Sequence, residues 1–224
     1  MNSGKQKALA MEPLPYDMES VKGFLDPKEG RRLHAVALAA GRFGPCLEIG
    51  GYCGKSTVWI GSACKRNNAI LFSIDHHRGS EEHQPGELYF DPELFDPVSG
   101  QIDSFRAFRN TLEKADLCDT VVPLVAASAV CARQWATPLS LVFIDGGHSF
   151  ESAFADYSAW AEHLLPGGYL LIHDIFLNPD EGGQAPHEIY RLALHSGRFE
   201  ALSMTGTLGV LRRLNHPRIP FNEP

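Results

Sequence analysis

The sequence predicts a doubly wound α/β fold, a mostly parallel sheet with helices on both faces, and three observations predict it. Short apolar runs alternate with amphipathic stretches along most of the 224 residues, the signature of strands joined by crossover helices. The first run, Cys46-Leu-Glu-Ile49, breaks into a glycine-rich turn that opens a helix. At the far end, two apolar runs flank Thr205-Gly206-Thr207, which reads as an antiparallel hairpin.

Taken in order, residues 1–20 are polar and proline-marked and read as a loose arm, which with the helix that follows makes a leading segment over 1–44. Asp26-Pro-Lys-Glu29 has an N-cap acid, proline at the first helical position and a glutamate at the third. Leu33, Val36, Ala37 and Ala40 then share one face until Gly41 ends the helix. The pattern continues as strand 45–49, helix 55–66, strand 69–74, helix 104–115, strands 121–125 and 139–144, helix 150–164, strand 168–173 and helix 185–196. In the helix from Phe150, Phe150, Ala153, Phe154, Tyr157, Ala161 and Leu164 follow helical spacing and read as core, with Pro166-Gly-Gly as its stop. The hairpin spans Phe199 to Met204 and Leu208 to Arg213.

No linker divides the chain, so 1–224 reads as one domain. Residues 76–103 interrupt the alternation. This insertion carries Pro85, Pro92 and Pro97, seven acids against Arg78, and Tyr89, Phe90 and Phe95. Loops of that length are functional or disordered as a rule. It reads as a lid over an acceptor pocket, the alternatives being a mobile solvated loop or a homodimer contact.

A net charge of −7 and a pI near 5.8 speak against a nucleic-acid partner, which needs clustered Lys and Arg. The five cysteines form no Cys-x-x-Cys pair and read as reduced thiols. No signal-peptide core and no run of eighteen apolar residues is present, so the expectation is a cytoplasmic protein without a membrane partner.

The chemistry centres on Glu48-Ile-Gly-Gly-Tyr-Cys-Gly54-Lys-Ser56. A dinucleotide fingerprint would need glycine where Tyr52 stands, and a P-loop would need one more residue before Gly54-Lys-Ser. Gly50, Gly51 and Gly54, with Ser56 at the helix start, read as a cradle in which ligand lies against main chain. Glu48 can accept from a cationic amino group, and Asp75, closing the next apolar run, can hold a ribose diol. This loop and distal acid resemble those of the class I S-adenosylmethionine-dependent methyltransferases over roughly residues 45–213. The resemblance implies S-adenosylmethionine as cofactor, a Rossmann-like sheet of seven strands, and Ser128 at the adenine.

Four strands end in acids or histidines, at Glu48, Asp75-His-His77, Asp145-Gly-Gly-His148 and His173-Asp174, and a doubly wound sheet brings such ends to one rim. Asp145 emerges beside the methyl donor. Here the chain resembles metal-dependent small-molecule O-methyltransferases of the catechol and macrolide-sugar types. That resemblance implies a divalent ion, magnesium, on Asp145 and Asp174, and His148, three residues after Asp145, as general base. The family has Glu-Asp where this chain has His173-Asp174. His173 as a ligand would favour manganese or zinc; the alternative is a histidine satisfied without metal, and the two aspartates have helix-capping or cofactor contact as theirs. His76 is assigned to the cofactor and His77 to the acceptor, against both being structural. Tyr89 in the insertion and Gln184 beside the acidic loop 178–183 are assigned to the acceptor. Asp75-His-His-Arg-Gly-Ser-Glu-Glu82 and Phe143-Ile-Asp-Gly-Gly-His148 are similar to an actinobacterial family that includes a mannoside 1-O-methyltransferase of methylmannose polysaccharide biosynthesis. The expected partner is therefore a small-molecule or oligosaccharide acceptor. A metal-independent methyltransferase and a non-catalytic cofactor-binding module are the rivals.

Overall fold

Crossover helices sort the strands of this chain into a sheet of order β5-β2-β1-β6-β7-β9-β8. A computed structural model describes residues 16–147 and 149–216. The strands are β1 (Cys46–Ile49), β2 (Leu71–Ile74), β5 (Val121–Leu124), β6 (Leu139–Ile144), β7 (Leu164–Ile172), β8 (Phe199–Ala201) and β9 (Gly209–Arg213). From β5 to β7 all pairings are parallel, and β9 runs antiparallel between β7 and β8. The insertion contributes a separate hairpin, β3 (Phe95–Asp96) with β4 (Gln101–Ile102). Because the chain moves outward from β1 through β2 and then restarts at β6 on its other side, the topological switch lies between β1 and β6. Ligands of open α/β sheets bind at such a point.

The helices are α1 (Pro27–Ala40), α2 (Lys55–Arg66), α3 (Phe105–Lys114), α4 (Ser128–Ala132), α5 (Phe150–Trp160) and α6 (Ala185–His195). They cover both faces. Leu33, Ala37, Val58, Ile60 and Phe108 from α1, α2 and α3 pack in one core layer, and Ala153, Trp160, Ile189 and Ala193 from α5 and α6 pack in the other. The start of α1 follows its local chemistry. Asp26 accepts from Lys28 N, Glu29 reaches back to Asp26 N, and Pro27 occupies the first turn.

Two expectations need correction. Phe150 and Phe154 are not core: they are 47% and 45% exposed, and their rings stack on each other at 5.8 Å on the surface. The buried stripe of α5 is Ala153, Asp156 and Trp160, one row round from the two phenylalanines. The helix also stops at Trp160 rather than 164, because Leu164 already pairs with Leu139 and β7 absorbs Pro166-Gly-Gly through a register shift.

The insertion is folded against the glycine turn. Leu94 and Ile102 are buried with Cys53, and Phe90, Phe95 and Tyr52 pack around them. Among the described residues no helix is long and apolar enough to cross a membrane.

Candidate active site

Glycine is required in the turn after β1 for reasons of packing as well as ligand approach. Gly50 and Gly54 sit at φ +95°, and a Cβ on Gly50 would collide with the Asp145 carbonyl of the neighbouring strand. The ends of β1 and β6 therefore touch at the switch point. A Cβ on Gly51 would come within 2.6 Å of Ser73 Oγ and 3.0 Å of the Phe108 ring. Tyr52 takes φ 43°, and the Asp75 carboxylate holds that conformation by accepting from Tyr52 N at 2.8 Å while its other oxygen accepts from His77 N at 2.6 Å. Asp75 is half-buried at the rim.

Glu48 is placed differently from its expected contact with an amino group. It is 0% exposed, and its carboxylate accepts from the hydroxyls of Ser56 (2.5 Å), Thr57 (2.7 Å) and Ser73 (2.7 Å). Ser56 is buried with it. Glu48 thus ties the first turn of α2 to β1 and β2, and neither it nor Ser56 presents a free edge to a ligand. Burial pushes the Glu48 carboxyl up to about 7, against the three hydroxyl hydrogen bonds that favour the anion. A raised carboxyl contributes stability that is complete below its unfolded value near 4.5 and is lost as pH rises through about 7. Glu48→Gln, which stays neutral, should gain on the parent by roughly 3 kcal/mol between pH 5 and 8.5. Denaturant midpoints of both proteins across that range measure it, and a constant gap would show a carboxyl that is ionised throughout.

Across the switch point, Asp145, His173 and Asp174 each bring a ligand-type atom within 4.8 Å of the others. The backbone delivers them with strain, since Asp174 sits at φ 56°, and three of the five described non-glycine residues at positive φ (Tyr52, His77, Asp174) lie on this rim. His173 is 5% exposed. Its Nδ1 lies 3.0 Å from Asp145 Oδ1 and 3.4 Å from Asp174 Oδ2, and its Nε2 lies 3.1 Å from Glu29 Oε2. Burial alone would lower the imidazole pKa, but the Asp145 charge and then the hydrogen bonds from Asp145, Asp174 and Glu29 outweigh it and hold the ring well above its usual range.

The other sequence-predicted residues divide. His77 is 3% exposed, bonded through Nδ1 to Ser104 Oγ at 2.8 Å and packed on Phe105 and Phe108. That burial removes it from any acceptor surface, so its assignment to the acceptor is corrected. His76 is exposed and accepts from Arg78 N. Ser128 Oγ accepts from Trp160 Nε1 at 2.7 Å at the start of α4. Gln184 spends its amide on Phe176 O and Gly182 O of its own loop. Tyr89, 42% exposed, lines a cavity of about 400 Å³ between the leading segment and the insertion, with Lys22, Phe24, Tyr52 and Asp91. His148 lies outside the described residues.

Sequence reasoning missed Glu29 and Lys22. Glu29 is read from sequence only as a cap, although its place on the buried side of α1 beside Leu33 was a signal. Lys22, which pairs with Asp91 Oδ2 at 2.5 Å and Glu93 Oε2 at 2.6 Å and so latches the leading segment to the insertion, carried none.

Comparison with known proteins bears on the family and the fold. The model of a family described as a methyltransferase domain matches residues 47–175. Among solved structures, cofactor-bound Rv0187 from MTB aligns with a TM-score of 0.61 at 17% identity over 87% of this chain and 84% of that one. The O-methyltransferase from Bacillus cereus in complex with SAH gives 0.59 at 18% over 86% and 83%. TomG from Streptomyces achromogenes, an O-methyltransferase involved in tomaymycin synthesis and solved with SAM, gives 0.59 at 16% over 86% and 82%. These likenesses carry the fold, and the matched family carries the class: this chain belongs to the methyltransferase-domain family and has the fold of class I S-adenosylmethionine-dependent methyltransferases.

Proposed function

We propose that the protein transfers a methyl group from S-adenosylmethionine to a hydroxyl of a small-molecule acceptor, a sugar with a mannoside favoured, assisted by a divalent ion. The observation that carries the reading is the Asp145, His173 and Asp174 cluster at the switch point, beside the turn that would hold the donor. Solved neighbours named as O-methyltransferases, one of them involved in tomaymycin synthesis, support oxygen and a small acceptor.

The donor set fits a divalent ion by its chemistry. Two carboxylates suit magnesium, and the added imidazole nitrogen widens the fit to manganese or zinc. When bound, such an ion lowers the pKa of an acceptor hydroxyl and orients a vicinal diol. Asp145 and Asp174 would hold it. The Gly50–Gly54 turn and Asp75 would fix the donor so that its methyl faces the β1/β6 crevice, which supplies the alignment an in-line displacement needs. His148 would accept the hydroxyl proton. Phe24, Tyr52 and Tyr89 wall the 400 Å³ cavity, with Phe24 and Tyr89 5.1 Å apart; such faces suit the apolar side of a sugar ring and equally a catechol.

A second reading, a metal-independent methyltransferase, has its own observation. His173 lies between three carboxylates that favour its protonated form, so the ring itself would supply positive charge there without an ion. An acceptor screen with labelled donor, comparing mannosides, other sugars and catechols with and without magnesium or manganese, separates the two. Methylation of none of these acceptors in a protein that binds donor would support the non-catalytic module instead.

Donor binding has a separate test. Asp75→Ala should weaken S-adenosylmethionine binding about 10–100-fold, because each hydrogen bond to a charged group contributes about 1.5–3 kcal/mol. Calorimetry with undiminished affinity would remove the ribose from Asp75.

A further inference from the structure

We propose that Glu29 is a positioning residue of the site, which fixes the ring of His173 so that Nδ1, and not Nε2, is presented to Asp145 and Asp174. The inference rests on the reading that a divalent ion is held there, and it deepens it by making His173 a third ligand. Glu29 is 4% exposed on the first turn of α1, 144 residues before His173. As a capping residue it needs only Asp26 N, yet that is the longest of its four hydrogen bonds, at 3.3 Å. The others are Thr207 N at 2.6 Å and Thr207 Oγ1 at 2.9 Å, both on Oε1, and His173 Nε2 at 3.1 Å on Oε2. The β8–β9 turn is shaped around it: Gly206 has φ +57°, and a Cβ there would collide with Glu29 Oε1. One carboxylate thereby joins α1, the hairpin turn and the end of β7.

The geometry is that of a ligating histidine whose remote ring N–H is held by a carboxylate. Such partners fix ring orientation and tautomer and make the other nitrogen a better donor. Here Nε2–H donates to Glu29, and Nδ1 is left facing the two rim aspartates.

Glu29→Gln isolates the effect. Thr207 N–H demands an acceptor at Oε1, so the glutamine oxygen must lie there and its amide N–H₂ must face Nε2. Nε2 then has to accept, and the proton the neutral ring keeps sits on Nδ1, where it blocks ligation. The full-length chain labelled with ¹⁵N in histidine is titrated with Cd²⁺, with Asp145→Asn in parallel and melting temperature recorded for each. In the parent, Nε2 should carry a proton before and after cadmium, and ¹¹³Cd coupling should be seen at Nδ1. In Glu29→Gln, Nε2 should lose its proton and cadmium affinity should fall about 10–100-fold, with melting changed little. Cadmium bound through Nε2, or bound without either ring nitrogen, overturns the proposal, as does affinity within twofold of the parent in a folded Glu29→Gln. If the parent takes up no cadmium, or Asp145→Asn takes it up as well as the parent, the ion reading fails separately. The metal-free spectra still decide Glu29: unchanged nitrogen shifts at His173 in the variant overturn it. Should Glu29→Gln not fold, the parent alone decides, with cadmium coupling at Nδ1 and a proton kept on Nε2 supporting the proposal and any other pattern overturning it.

Discussion

Asp145→Asn, and equally removal of divalent ions by a chelator, should abolish methyl transfer in a chain that still binds its donor. Asp145 faces both the glycine turn and the His173–Asp174 pair. Its carbonyl packs against Gly50 of the glycine turn, and its carboxylate lies 3.0 Å from His173 Nδ1 and within ligating range of Asp174. Losing the negative charge there would remove a ligand from the proposed ion, whose part is to acidify the acceptor hydroxyl. Lewis-acid assistance of this kind is worth several kcal/mol, on the order of 10³-fold in rate or more. Asparagine keeps the shape and an acceptor oxygen, so the β1/β6 contact and the His173 hydrogen bond survive in weaker form. The measurement is single-turnover methyl transfer together with calorimetry of donor binding. Full turnover in excess chelator, after metal removal has been verified, would sink the ion reading and favour the built-in cation of His173.

His148→Ala should lower the single-turnover rate by about 10²–10⁴-fold, the usual loss on removing a general base, while donor and acceptor affinity change little. The competing account, a histidine that caps the following helix, predicts lower thermal stability with turnover kept. The cap of α5 is already supplied: Ser149 Oγ accepts from Ser152 N at 3.2 Å. On the other side of position 148, a Cβ on Gly147 would come within 3.1 Å of Ser152. His148→Ala, His173→Ala and His76→Ala are compared by rate and melting temperature together. If His148→Ala turns over within a few-fold of the parent while either of the others collapses, the base is misassigned. A loss in His173→Ala that comes with a lowered melting temperature would be the expected mark of its buried pairings.

Local rules carried far in this chain. The capping box of Asp26 and Glu29, the start of α2 at Lys55 directly after Gly54, the turn at Thr205-Gly-Thr207 and the run of apolar strands are each decided within a few residues, by hydrogen bonds to neighbouring backbone and by side-chain period. So are the acids at strand ends, because parallel strands feeding crossover helices deliver their last residues to one rim. The sequence alone thereby determined the alternating architecture, the glycine turn after β1, and the gathering of Asp145, His173 and Asp174.

What the sequence could not decide is which polar side chains end inside and whom they meet there. Glu48 and His77 stand at strand ends like Asp75 and Asp145, yet the first is closed in by three hydroxyls and the second by Phe105, Phe108 and Ser104. Phe150 and Phe154 keep helical spacing, but the row that α5 turns inward is set by what the β6 side of the sheet leaves room for, and Ala153 and Trp160 fill it. The pairing of Glu29 with His173 spans 144 residues. Period and propensity mark a buried face. The partner of a charge on that face comes from a distant element, and only the packed sheet brings α1, the β8–β9 turn and the end of β7 within hydrogen-bond range of one another, where leaving the charge unpaired would cost more than the fold can absorb.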